Sequence, residues 1–394
     1  VIINGDVYQF ETKLRIIDAL IFTGRTVPRL CDDARLLPTG ACRLCIVDIK
    51  GKAHPVTACN NIIQDGMEIE THSKKIESLR TTLLELLARN YPKDALLAEP
   101  NHNFHKLLKE YGIDNLSSHT SSIDSSHPYI QVDMQRCIYC FRCVRICDEL
   151  QGQFVWQVWN RGDRTRIVPD SDGLFADSTC TSCGACADTC PSGAIVDKTL
   201  LEFGMPDKWT KTVCAYCGVG CEMQVGTKKG IITNIKPAND APVNKGHLCS
   251  KGRYAFGYVN ASDRLKRPLI RQNGQWKEVN WDFALDYIAT HLSAIKIQNG
   301  PDAIGVLGSA RATNEENYLV QKFARVVLET NNIDCCARVC HTPSSAALKL
   351  MLGSGAATNS FADIERAQTL MICGTNTTEN HPITGARVKQ AALR

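Results

Sequence analysis

No run of eighteen consecutive apolar residues occurs in the chain, so no segment is expected to span a membrane. A secretory or twin-arginine segment is also missing. The first residues, Val1-Ile2-Ile3, read directly as a strand, and the expected location is cytoplasmic. Charge of one sign is lacking as well: 45 Lys and Arg stand against 41 Asp and Glu, scattered without a basic run. No nucleic-acid partner is expected from such a surface. The 394 residues are 44% apolar and 22% charged, close to an ordinary globular composition, and suffice for roughly two to four small domains.

Cysteine is what the chain has in excess, with 20 of them. Disulfide frameworks belong to short secreted domains, and this chain is neither short nor marked for secretion. The cysteines recur as C-x2-C units, a spacing that suits thiolate ligation of zinc or of iron–sulfur clusters. An oxidised four-thiolate cluster carries roughly −2, so four of them would turn the formal charge from positive to about −4.

The first group is Cys31, Cys42, Cys45 and Cys59, spaced C-x10-C-x2-C-x13-C. Before it, Val1-Ile2-Ile3 and Val7-Tyr8-Gln9-Phe10 read as a hairpin turning on Asn4-Gly5, followed by a short helix from about Lys13 to Thr23. Gly40 and Ala41 suit a backbone wrapped closely around a metal centre. Four cysteines alone also fit a structural zinc site. With the hairpin and helix, the group resembles the N-terminal ferredoxin domain of the large iron–sulfur subunit of complex I and of its formate dehydrogenase and hydrogenase relatives. That resemblance implies a β-grasp [2Fe–2S] domain over residues 1–73 and a helical linker over 74–127.

Lys74 to Asn90 reads as a helix with Ile76, Leu79, Leu83, Leu86 and Leu87 on one face. In those relatives a site of one histidine and three cysteines follows it. Here His102 is present, but Lys106, Lys109 and Asn115 occupy the thiolate positions, so that cluster should be absent. His102 and His105 are then surface or packing histidines, and Ser117 to Ser126 is a Ser-rich linker.

Two matching runs follow, Cys137, Cys140, Cys143 and Cys147, then Cys180, Cys183, Cys186 and Cys190. Each is C-x2-C-x2-C-x3-C, the two-cluster bacterial ferredoxin spacing in which the fourth cysteine of each run serves the other cluster. One [4Fe–4S] cluster is assigned to Cys137, Cys140, Cys143 and Cys190, and a second to Cys180, Cys183, Cys186 and Cys147, within residues 128–204. Asp148 stands where proline usually follows the first run.

Cys214, Cys217, Cys221 and Cys249 form the last group, in the segments VCAYCGVGC and KGHLCSKGRYAFGYV. These resemble the [4Fe–4S] domain that opens molybdopterin oxidoreductases, here residues 205–262. Lys251 then matches the family's lysine between cluster and pterin, where it helps to relay electrons.

From residue 263 to 394 the pattern becomes α/β. Trp281 to Ile297 reads as a helix burying Phe283, Ala284, Tyr287, Ile288 and Leu292, and Asn314 to Glu329 as another. Ala303 to Gly308 and Thr369 to Gly374 read as buried parallel strands. The turns after them, with Ser309, Arg311, Gly374 and Asn376, are candidate pterin contacts. Arg338-Val339-Cys340-His341 resembles the metal-ligand loop of formate dehydrogenases. By that resemblance Cys340 binds molybdenum or tungsten, His341 orients substrate or moves a proton, and the centre is a bis-molybdopterin guanine dinucleotide. Cys335, Cys336 and Cys373 are left as small buried residues.

The expected fold is therefore α+β and multidomain: a β-grasp [2Fe–2S] domain, a ferredoxin domain with two [4Fe–4S] clusters, a further [4Fe–4S] domain, and the start of the α/β molybdopterin fold. A full catalytic subunit of this kind has several hundred further residues, including an arginine for substrate. The implied activity is oxidation of formate to CO2 or its reverse. The implied partner is a flavin-containing NAD(H) module, a hydrogenase or a ferredoxin. The competing reading is an electron-conducting subunit, complex I-like or truncated, without an active pterin site.

Overall fold

The computed structural model describes residues 1–11, 13–98, 101–117, 122–170 and 172–394. It divides into two compact units, Val1–Gly257 with Ile364–Arg394, and Tyr258–Asp363.

The first unit opens on a five-stranded sheet in the order Asp6–Val7, Ile2–Ile3, Glu68–Glu70, Ile46–Ile49, Val56–Thr57. Asn4 and Gly5, both at positive φ (52° and 90°), make the tight hairpin turn, as that pair does when flanking strands twist right-handedly. Ile2–Ile3 then runs parallel to Glu68–Glu70. The helix between them, Ile16–Phe22, is shorter than expected; it buries Ile16, Ile17, Ala19 and Leu20 against Ile3, Val47, Ile49 and Ile69. This is the grasp arrangement.

The next helix, Lys74–Ala88, is capped by Ser73, whose hydroxyl accepts from the Ile76 amide at 3.2 Å. Its buried stripe is Ile76, Arg80, Leu84 and Ala88, while Leu79 and Leu86 are exposed. The buried face is rotated from the expected one because Arg80 is inside. Its guanidinium donates to the carbonyls of Leu44 (3.2 Å) and Ile46 (2.9 Å) and to Glu77 (2.7 Å), which satisfies the charge that burial strips of water. His105 is buried and bonded through Nε2 to Tyr91 Oη at 2.6 Å, a packing role. His102 stacks edge-on against it and lies against Gly193.

Ile130–Asp133 is the centre of an antiparallel three-stranded sheet with Ile195–Asp197 and Ile123–Asp124. The Ser-rich stretch is thus more than a linker: Ser117 bridges to Pro92 and Ile123–Asp124 forms an edge strand, while residues 118–121 lie outside the described residues. A second antiparallel sheet, Lys208–Val213, Glu222–Lys228 and Ile231–Pro237, carries the fourth cysteine group at its loops. The helix Pro382–Ala392 closes this unit.

The second unit begins with the hairpin Leu269–Gln272 and Gln275–Glu278. The helix Trp281–Asn299 follows, capped by Asn280, whose side chain accepts from the Phe283 amide. The parallel strand pair is Val306–Gly308 with Ile333–Cys335. In the first unit, Thr369 to Gly374 is not a strand; with no neighbouring ladder it stays irregular, and Met371 is exposed. Only Ala284 of the expected helix face is buried; Phe283, Tyr287 and Ile288 are exposed. A two-stranded sheet covers too little area to bury a helix of five turns. Cys336 and Cys373 are also exposed and Cys335 half-buried, so they are not the buried residues expected. No helix among the described residues is long and apolar enough to cross a membrane.

Candidate cluster sites

Cys31, Cys42, Cys45 and Cys59 are all buried around one loop. Cys31 is within hydrogen-bonding reach of Cys42 and Cys59, and Cys45 of Cys59. These contacts draw the Cys31 and Cys45 thiols down and push Cys42 and Cys59 up. Four buried sulfurs in mutual contact cannot all ionise unless a positive centre sits among them. Thiolate ligands around iron meet that requirement.

The two four-cysteine runs at Cys137–Cys147 and Cys180–Cys190 share one backbone design. Residues two and four past the first cysteine are left-handed in both: Tyr139 and Phe141 (φ 52° and 60°), then Ser182 and Gly184 (φ 57° and 73°). This turns the amides of Tyr139 and Ser182 onto the sulfurs of Cys137 (3.4 Å) and Cys180 (3.3 Å). The Val155 amide does the same for Cys147 at 3.4 Å. Such amide nests stabilise sulfur-borne negative charge.

The fourth cysteines cross over. Cys137 and Cys143 both feel the charge of Cys190, whereas Cys147 feels Cys183 and Cys180, and Cys186 feels Cys147. Burial pushes Cys137, Cys140, Cys147 and Cys180 each up to about 12, so their thiolates need a bound cationic centre. Cys214, Cys217, Cys221 and Cys249 likewise act on one another. A Cβ at Gly252 would stand 3.3 Å from Cys214 Sγ, so glycine keeps that wall of the site open.

The four groups stand in series. Cys140 lies within electrostatic reach of Cys31, and Cys143 of Cys186. Cys183 and Cys249 line one cavity of about 340 Å³ together with Lys251. The amino group of Lys251 donates to the Glu379 carbonyl. The first junction is tied by Arg142, which donates to Asp33 (2.9 Å) and Thr189 (2.7 Å), with Thr189 donating to Asp33 at 2.7 Å. Burial pushes the Asp33 carboxyl up, but Arg35 and Thr189 more than reverse this and hold it ionised.

Sequence reasoning missed the helix Pro382–Ala392 as part of this region. Gln390 donates to the Asp148 carbonyl at 2.7 Å and Lys389 to Gln153 at 2.8 Å, while Ile383 lines the Cys214 group. Nothing in an isolated helical pattern signals a partner more than two hundred residues away.

His127 packs on Phe175 with ring centroids 4.7 Å apart. Its Nδ1 accepts from the Tyr129 and Ile130 amides, both at 3.1 Å, leaving Nε2 to donate to Ser182. Burial, then Lys198, lower its pKa against the opposing Asp124. Unfolded chains take up a proton near pH 6.5 that the folded one refuses, so His127 favours folding above that value and the contribution is lost as pH falls below it. Melting temperatures from pH 7.5 to 5 should therefore drop more steeply for the native chain than for His127→Gln; parallel curves would refute this.

In the second unit, Ser309 to Arg311 follows the C-terminal end of Val306–Gly308. Asn317 donates to the Ser309 carbonyl (3.0 Å), Ser309 Oγ accepts from the Arg311 amide (3.1 Å), and the Ala310 amide reaches Cys336 Sγ. Cys340 ends the short helix Ala337–Cys340 just past the adjacent parallel strand. The carboxyl ends of both strands thus present these segments side by side, where parallel sheets bind ligands. Cys340 and His341 are exposed, and His341 Nδ1 pairs with Ser344 Oγ at 3.1 Å. Gly374 and Asn376 belong to the other unit and end no strand; Asn376 instead caps the helix Thr377–Asn380 by accepting from the Thr378 amide.

Comparison with known families runs in the same order along the chain. Residues 1–74 match a 2Fe-2S iron-sulfur cluster binding domain, and 127–196 the ferredoxin-like domain of NADH-quinone oxidoreductase subunit 3. Residues 207–261 match the molybdopterin oxidoreductase Fe4S4 domain, and 264–394 molybdopterin oxidoreductase itself. Residues 207–394 thus resemble two successive domains of molybdopterin oxidoreductases. Two similar proteins, both described as "Putative formate dehydrogenase", come from Staphylococcus aureus strains USA300 and MRSA252. They are 31% and 30% identical over 99% of this chain and 44% of their own length. The chain therefore spans less than half the length of those relatives. A solved NAD+-reducing [NiFe]-hydrogenase chain is 26% identical over 50% of this chain and 86% of its own, at a TM-score of 0.43, too loose an overlap to establish a common fold.

Proposed function

We propose that this chain is the cluster-bearing part of a formate dehydrogenase or CO2 reductase. The observation that carries the reading is the series of four cysteine groups ending at Lys251. Cys31, Cys42, Cys45 and Cys59 would hold one [2Fe–2S] cluster. The crossed sets Cys137/Cys140/Cys143/Cys190 and Cys180/Cys183/Cys186/Cys147 would hold two [4Fe–4S] clusters, and Cys214/Cys217/Cys221/Cys249 a third. Cys340 would hold molybdenum or tungsten, its soft thiolate suiting either metal, in a bis-molybdopterin guanine dinucleotide contacted by the Ser309–Arg311 turn. These groups, when bound, supply two-electron oxidation of formate and one-electron transport.

The chain's own residues do the rest. Buried thiols give up their protons to become ligands, and the amides of Tyr139, Ser182 and Val155 hold the sulfurs' charge. His341 would orient substrate or pass a proton through its ring nitrogen during the reaction. Lys251 lines the cavity shared by Cys183 and Cys249 and places its amino group there, held by the Glu379 carbonyl. A series of one-electron sites is useful only to an acceptor that docks far from the metal, which supports an electron-transfer partner at the N-terminal domain: a flavin NAD(H) module, a hydrogenase or a ferredoxin. The preference for formate draws on Arg338-Val339-Cys340-His341 and on the relatives' description.

A second reading, an electron conduit without an active pterin site, draws on the exposure of Cys340 and His341. Metal analysis of anaerobically purified protein separates the two. The expected content is about 14 irons per chain by cluster stoichiometry, with about one molybdenum or tungsten and formate-dependent dye reduction. Full iron without either metal would leave only the conduit, and zinc in place of iron would overturn both.

A further inference from the structure

Arg253 is fully buried at the end of the helix Ser250–Tyr254, four residues past Cys249. Its Nε donates to the Cys183 carbonyl at 2.9 Å, and its two terminal nitrogens grip the two Asp188 oxygens, one at 2.9 Å. A further contact reaches the Ile235 carbonyl at 3.4 Å, and Asp197 stands 3.8 Å away. A Cβ at Gly184 would come within 2.5 Å of Nε, so glycine beside Cys183 is what admits the guanidinium. An arginine never loses its charge in a protein, and burying one costs several kcal/mol unless it is paired and hydrogen-bonded. The chain has met that cost beside one ligand loop. Lys389, from the helix Pro382–Ala392, is a second cation whose field couples to Cys147 and Cys183.

We propose that Arg253 is a positioning residue for electron transfer: its fixed charge makes the cluster held by Cys147, Cys180, Cys183 and Cys186 easier to reduce, so that this site retains an electron beside Lys251. The inference rests on the cluster assignment above. Its physics is simple. One electron passes between neighbouring clusters, one oxidised as the other is reduced, and no proton or bond changes hands. Reduction adds negative charge, which a cation against Cys183 stabilises and the Asp188 carboxylate opposes; cluster potentials follow local charge and hydrogen bonding.

The test is an EPR-monitored redox titration of the full chain, following the signal that disappears in Cys183→Ala. Arg253→Met should lower its reduced-to-oxidised ratio at fixed potential by roughly tenfold, ~59 mV for a one-electron couple. Asp188→Asn should move the same signal in the opposite direction, and Arg253→Lys should shift it least. The signals of the other clusters should stay in place. Should Arg253→Met lose iron, Asp188→Asn keeps the guanidinium and decides alone. A strut with no electrostatic role predicts no opposed shifts, and their absence in iron-replete variants overturns the inference. Native protein without iron or any cluster signal would instead bring down the cluster assignment on which it stands.

Discussion

Cys147→Ala should extinguish the cluster of the other cysteine run and spare that of its own. Iron should fall by about four per chain, the content of one [4Fe–4S] cluster. The EPR spectrum that survives should match that of Cys183→Ala and differ from that of Cys143→Ala. Cys190→Ala should in turn match Cys143→Ala. The expectation comes from which sulfurs act on which: Cys190 on Cys137 and Cys143, and Cys147 with Cys180, Cys183 and Cys186. If Cys147→Ala and Cys143→Ala leave the same spectrum, each run closes on itself and the crossed assignment fails. Because the sites stand in series, either loss should also stop electrons moving from formate to an acceptor at the N-terminal domain.

Cys340→Ala should abolish formate oxidation while leaving iron unchanged. Removing an outer-shell partner of a metal costs about 10–100-fold, and loss of a direct ligand should exceed that. His341→Ala should cost roughly 10²–10⁴-fold, the span of general acid–base catalysis, with metal content kept. Artificial-dye assays on anaerobically purified protein would measure both. Formate turnover surviving in Cys340→Ala would remove Cys340 from the metal. Unchanged turnover in His341→Ala would leave that histidine with only its contact to Ser344.

The cysteine groups were legible in the sequence because ligand spacing is a local code: C-x2-C places sulfurs on one tight turn whatever surrounds it. Asn4-Gly5 was legible for the same reason, as backbone chemistry confined to two residues. What failed to show was decided at a distance. Arg80 reads as a solvent-facing charge until the carbonyls of Leu44 and Ile46 are seen to hold it, and it rotates the whole buried face of its helix. Thr369 to Gly374 has strand composition, yet strand formation needs a partner, and Val306–Gly308 pairs with Ile333–Cys335. The apolar stripe of Trp281–Asn299 was real as a pattern, but burial belongs to the neighbour as much as to the helix. Arg253 lay in plain view beside Lys251, and only the packing of Asp188 and Cys183 around it gives it meaning.

The discontinuity of the first unit has a consequence for biosynthesis. Its closing helix, Pro382–Ala392, emerges from the ribosome only after the whole of Tyr258–Asp363. At about 5–20 residues per second, the Cys214–Cys249 loops wait on the order of ten seconds without Ile383 beside them. Delivery of iron and sulfide to that site has an open window that shuts when the helix arrives, whereas the N-terminal cysteine loop has its packing partners, up to Ile138 and Cys140, well before then. Assembly factors would thus meet the sites of one chain on different schedules, set by the order in which the polypeptide is made.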